Sequence, residues 1–259
     1  MFPIAHAWLV AQLIPEPTVP HLLGCVWPDM LYASPLDHAR SHTSGLLLAR
    51  HARTLPDTED GRTFRSFVQG VLTHGSEPHG FDWYSDEAYG DCGDSGGSAR
   101  GYAFQKGLPL ADDVARACGA APEQGWWKAH NIVEMAFEPD LWRERPELGD
   151  AIARACADED LIACVSRELA AVFAEPQVAM ADAMKRFPEV VTLHPSTPTA
   201  LAEVYALQTR LKHPGATPNV DALAGLITRA EGLIQDSKEA FLATCVERVG
   251  AMTRAVLSR

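Results

Sequence analysis

Apolar residues recur at three- and four-residue spacing along most of this chain, with Pro or Gly at the breaks, and that pattern specifies amphipathic helices. Strand-like alternation is scarce, so the expected fold class is all-α. A first helix is predicted from Phe2 to Ile14, stopped by Pro15 and Pro17, followed by an apolar segment from Pro20 to Ala33 that Pro28 can interrupt. A helix is expected after Ser41 to about Leu55, then one capped by Asp60 carrying Phe64, Phe67, Val68, Val71 and Leu72 on one face. Asp86 to Gly107, rich in Gly, Ser and Asp, reads as a long surface loop. Helices follow over Ala111 to Gly119 and Glu123 to Glu138, and four or five more from Pro146 to Arg259, punctuated by Pro176, Pro188, Pro195, Pro198 and Pro214.

At 259 residues the chain can bury a core without staples, and we read it as a single helical domain. Residues 1–140 are expected to form the core, a metal-binding one if the histidines and carboxylates concentrated there are ligands, and 141–259 to supply additional helices of unassigned role. No apolar run reaches the roughly 20 residues of a spanning helix. The apolar N-terminus carries no basic residue ahead of its hydrophobic stretch and reads as part of the fold, so a cytoplasmic location is expected. The six cysteines form no C-x2-C pair and read as reduced, packed thiols. A net charge of -12 argues against stable nucleic-acid binding, which needs clustered Lys and Arg, but suits bound divalent cations.

Eight of the ten histidines fall in the first 130 residues, which directs the search for chemistry to that half. In AHNIVEMAFE, His130 and Glu134 are four residues apart and share a helical face inside an apolar stripe. A carboxylate aimed into a core needs a partner, and a metal ion shared with the imidazole supplies one; for an isolated pair, mutual hydrogen bonding is the commoner explanation. GVLTHGSEPHGFDWYSDE places His74, Glu77, His79 and Asp82 within nine residues, where Gly and Pro end a helix and let the following groups turn back. HLLGCVWPDMLYASPLDHARSH adds Asp29, His38 and His42, and His6 lies on the inward stripe of the first helix.

This ordered set resembles the zinc-dependent phospholipase C family, which is akin to the fungal single-strand nucleases. The resemblance covers residues 1–140 and rests on His6, the G-x3-P-D element from Gly24 to Asp29, His42, Gly70 to His74, and His130 with Glu134. It implies a multi-helix bundle holding two or three zinc ions. By position, Asp29, His42 and His74 would hold one ion, His79, His130 and Glu134 a second, and His6 with the amine and carbonyl of Met1 a third. Pro78 stands where the family has a bridging aspartate, so Glu77 or Asp82 is the expected bridge or proton acceptor. The implied activity is hydrolysis of a phosphoester, with a lipid headgroup phosphodiester, a nucleotide or another small phosphoester as substrate. The rival readings are a dinuclear iron or manganese enzyme on a helical bundle, against which the missing paired Glu-x-x-His motifs count, and a non-enzymatic helical scaffold.

Overall fold

The computed structural model describes residues 2–32, 34–89 and 100–258. The protein is all-helical, with no strand among the described residues. The first half comprises α1 (Pro3–Leu13), α2 (Val19–Val26), α3 (His38–His42), α4 (Gly45–Thr54), α5 (Glu59–Leu72), α6 (Tyr102–Gly107), α7 (Ala111–Cys118) and α8 (Gly125–Met135). The second comprises α9 (Glu138–Glu144), α10 (Glu147–Ala157), α11 (Glu159–Phe173), α12 (Gln177–Arg186), α13 (Pro198–Lys212), α14 (Val220–Ile234) and α15 (Lys238–Leu257). One continuous hydrophobic core runs through both halves, from Phe2 to Val256. No helix among the described residues is long and apolar enough to cross a membrane.

Several elements differ from expectation for local reasons. Thr58, not Asp60, caps α5 by accepting from the Gly61 N–H, and Asp60 lies in the first turn, where its charge suits the helix dipole. Pro28 converts the end of the second apolar segment into a short 3-10 turn, Trp27–Asp29. Part of the expected surface loop is core: Trp83–Glu87 forms a π-helical turn, and α6 buries Tyr102, Ala103 and Phe104, with the Tyr102 ring stacked on Phe241 at 4.3 Å. Residues 90–99, including Cys92, lie outside the described residues. From Pro146 onwards the described residues hold six α-helices, α10 to α15, instead of four or five. The remaining cysteines are free and buried.

α1 is apolar around nearly its whole circumference and is buried from Pro3 to Val10, so it threads the core instead of lying on it. It packs on α2, α9, α10 and α15. α2 and α5 make the most intimate helix pair, because two glycines remove the side chains that would separate them. A Cβ on Gly24 would sit 1.9 Å from the Phe67 carbonyl oxygen, and one on Gly70 would sit 2.1 Å from that of His21. This backbone contact brings the turn after α2 beside the end of α5. Gly24→Ala is therefore expected to force the two helices apart and destabilise the protein by about 1–3 kcal/mol or more, the usual range for overpacking. Urea denaturation reads this out, and an unchanged midpoint would contradict the close crossing.

Candidate metal centre

The close crossing of α2 and α5 positions two ligand groups. Asp29 ends the turn after α2, and His74 follows α5 by two residues, where its Nδ1 donates to the Cys25 carbonyl of α2 at 2.5 Å. That bond fixes the tautomer and leaves His74 Nε2 to face inward. His42 ends α3, and its Nδ1 donates to the His38 carbonyl at 3.0 Å, again leaving Nε2 for the site. After His74 the chain doubles back. The N–H groups of Phe81 and Asp82 donate to the carbonyls of Thr73 and His74, each at 2.8 Å, and Ser76 N–H donates to His42 O at 3.0 Å. The doubled turn lays the Asp82 side chain over the imidazoles.

Asp82 uses its two oxygens differently. Oδ1 lies 3.4 Å from His6 Nε2, whereas Oδ2 lies 3.3 Å from His42 Nε2 and 3.1 Å from His74 Nε2. Asp29 completes the set, with Oδ1 3.4 Å from His42 Nε2 and Oδ2 3.8 Å from His74 Nε2. His74 Nε2 is buried and, despite its short approach to Asp82, is in hydrogen-bond alignment with nothing. Two ligands on one zinc at 2.0–2.2 Å with tetrahedral angles are about 3.3 Å apart, so the spacings fit donors converging on an ion.

Ligand geometry defines overlapping groups His6/His74/Asp82 and Asp29/His42/His74, and a separate group Asp86/His130/Glu134. The first two groups share His74, and Asp82 connects them, with Oδ2 near His42 and His74 Nε2 and Oδ1 facing His6. The Met1 amine, expected to join His6, lies outside the described residues.

The third group differs from expectation. His79 is exposed and stacks flat on Trp83, with centroids 3.8 Å apart, and it belongs to none of the ligand-spaced groups. Asp86 stands with His130 and Glu134 instead, because the π-helical turn after Asp82 carries it inward. Its Oδ1 is buried without a hydrogen-bond partner. Ser85 donates to Glu134 Oε1 at 2.6 Å, and the His130 ring is held by stacking on Phe104 at 4.3 Å. Glu77 is exposed beside Pro78 and joins no group, so of the two carboxylates expected as bridge only Asp82 reaches the histidines.

Electrostatics distinguish the groups. Burial pushes the Asp82 carboxyl up, but the neighbouring His74, His6 and His42 imidazoles hold it well below the usual range. Asp29 is likewise held low despite its burial, with His74 and His42 among the groups that lower it. Burial pushes His42 down, yet the two carboxylates win and hold it at about 9. Burial lowers His6 to about 3, aided by His74, whose ring stacks on it at 3.7 Å. His130 is lowered to about 3 by burial. Asp86 is pushed far up by burial and by its carboxylate neighbours Glu134 and Asp82, and Glu134 is also raised by burial. Crowded carboxylates that must share protons become ordinary ligands once a divalent cation replaces those protons.

One supporting residue is absent from the sequence reading. Glu138, fully buried, accepts from the N–H groups of Ile4 at 3.2 Å and Ala5 at 2.7 Å, thereby capping α1 and anchoring the turn that carries His6. Its burial pushes the carboxyl to about 8 against those two donors. Glu138 continues the four-residue series from His130 and Glu134, a signal legible in the sequence.

Comparison with known proteins finds no matching family model, curated protein or solved structure.

Because the metal must take the deprotonated imidazole, His42 at about 9 implies that metal uptake near pH 7 releases a proton. Apparent zinc affinity should rise with pH towards about 9, by roughly tenfold per pH unit for each proton released. Calorimetry in buffers of different ionisation enthalpy measures this, and proton-neutral binding would contradict the ligand assignment of His42.

Proposed function

We propose that the protein is a zinc-dependent phosphoester hydrolase that acts on a small phosphoester or lipid headgroup. The observation that carries the reading is the Asp82 carboxylate, one oxygen facing His6 and the other facing His42 and His74, the arrangement of a ligand bridging two adjacent cations. Asp29, His42, His74 and Asp82 would hold one ion, and His6 with Asp82 would contribute to a second. Asp86, His130 and Glu134 would hold a third. This ordered set is what supports the resemblance to the zinc-dependent phospholipase C family, with Asp86 in place of the expected His79.

When bound, such ions lower the pKa of a shared water and stabilise the charge that builds on a phosphoryl group. The chain's own residues set the stage for that chemistry. Cys25 O and His38 O orient His74 and His42 through their Nδ1 protons, the outer interactions that keep imidazole ligands aimed. Asp82, held far below the usual carboxylate range, suits a bridging role better than that of a proton acceptor. Asp86 and Glu134 are partly exposed, so the third group opens towards solvent, where substrate can approach.

Zinc-reconstituted protein is expected to release 4-nitrophenolate from bis(4-nitrophenyl) phosphate or 4-nitrophenyl phosphate, to lose that activity to a chelator and to regain it with zinc. Asp82→Asn should lower kcat at least about 100-fold, beyond the roughly 10–100-fold typical of an outer-shell partner. Undiminished turnover by Asp82→Asn would refute the bridge. Inertness towards both esters, coupled with oxygen consumption by iron-loaded protein, would favour the dinuclear iron reading instead.

A further inference from the structure

A cleft of about 440 Å³ opens beside the third ligand group, between the turn after Asp29, helix α8 and helix α13. Tyr32, Trp127, Lys128, Asn131, Tyr205 and Lys212 line it. The cleft and the candidate metal centre share elements. Lys128 and Asn131 flank His130 on α8, and the Trp127 ring meets the His130 ring edge to face at 5.0 Å. Tyr32 lies three residues beyond Asp29, whose charge also reaches Lys212. The C-terminal helix α13, which carries no candidate metal ligand, thus supplies one wall.

The chemistry of that wall is unusual for so acidic a chain. Lys128 and Lys212 line one cleft, lie within each other's electrostatic reach, and form no ion pair among the described residues. The cleft's carboxylate, Glu123, is exposed at the rim. Lys212 Nζ sits over the Tyr32 ring, 5.4 Å from its centroid, a contact that holds the ammonium without neutralising it. The Tyr32 hydroxyl is buried and lacks a hydrogen-bond partner. Two ammonium groups without an ion-pair partner among the described residues and a buried hydroxyl without a hydrogen-bond partner, set beside aromatic rings, suit an anion on a short carbon skeleton.

We propose that this cleft binds a second anionic group of the substrate, gripped by Lys128 and Lys212, so that the protein selects small phosphoesters carrying a further phosphate or carboxylate a few bonds from the one that reacts. The proposal rests on the phosphoester reading of the metal centre and specifies its substrate class. Trp127, Tyr32 and Tyr205 face the connecting carbons, and the reacting phosphoryl group lies towards Asp86, His130 and Glu134.

The test compares three ligands that cannot be hydrolysed, propylphosphonate, 3-carboxypropylphosphonate and propane-1,3-diylbisphosphonate, titrated calorimetrically into zinc-loaded full-length protein. All three share the phosphonate that the metal centre would bind and differ only at the far end. Wild type should bind at least one of the two doubly anionic ligands tenfold or more tighter than propylphosphonate, and the preferred ligand identifies the second anion as carboxylate or phosphate. Lys128→Ala/Lys212→Ala should erase that preference while leaving propylphosphonate affinity and melting temperature unchanged, and Lys128→Arg/Lys212→Arg should keep it. Equal affinity for all three in wild type, or a preference that survives the double alanine substitution, would overturn the proposal. Turnover of bis(4-nitrophenyl) phosphate and 4-nitrophenyl phosphate is measured alongside. A lysine-dependent preference in a protein that hydrolyses neither ester would refute the phosphoester reading, and with it the assignment of this anion to a substrate, while leaving the anion-binding cleft in place.

Discussion

Two carboxylates, Asp29 and Asp82, are drawn out of water into the middle of a helical core, and the architecture around them follows from the need to compensate that charge. The effective cost of burying an unpaired carboxylate is several kcal/mol, about the scale of a domain's whole stability margin. His42 supplies a positive charge when no cation is bound, and one imidazolium facing two carboxylates leaves negative charge over. A divalent ion bound there would remove the deficit and displace the proton from His42. Under the proposed metal binding, folding around this centre and loading it would be one linked process.

The helices serve that constraint in a definite order. The glycines at 24 and 70 allow backbone contact between α2 and α5, and that contact places Asp29 and His74 in reach of each other. The turn from Thr73 to Asp82, pinned by main-chain hydrogen bonds, returns Asp82 over the same imidazoles. Glu138 caps the helix that carries His6 and so ties the far side of the centre to α9. α13 closes the flank with a cleft whose charge is opposite to that of the chain as a whole.

Much of this was legible in the residues because helical periodicity is regular. His130 and Glu134 at four-residue spacing had to share a face, and the polar pair inside an apolar stripe pointed to a partner. The dense run from His74 to Asp82 pointed to a turn with ligands on it. Choosing between Glu77 and Asp82 required the turn's actual path, which leaves Glu77 in solvent and carries Asp82 inward. Asp86 was hidden because the Gly-, Ser- and Asp-rich stretch it begins reads as surface loop, whereas a π-helical turn, which has no simple sequence period, carries it inward. His79 shows the converse: a residue of the right type and spacing whose ring found a better surface on Trp83. The caps and breaks were readable to within a residue or two, as with Thr58 in place of Asp60, whereas the cleft at α13 joins residues about a hundred positions apart and leaves no local pattern.

The account turns on Asp82 as a bridge between neighbouring cations. Anomalous diffraction at the zinc absorption edge from crystals of the zinc-loaded protein tests it most directly. Two adjacent peaks about 3.5–4 Å apart, each within coordination distance of a different Asp82 oxygen, with a third between Asp86, His130 and Glu134, are the predicted result. Absence of any anomalous peak within coordination distance of Asp82 would contradict it.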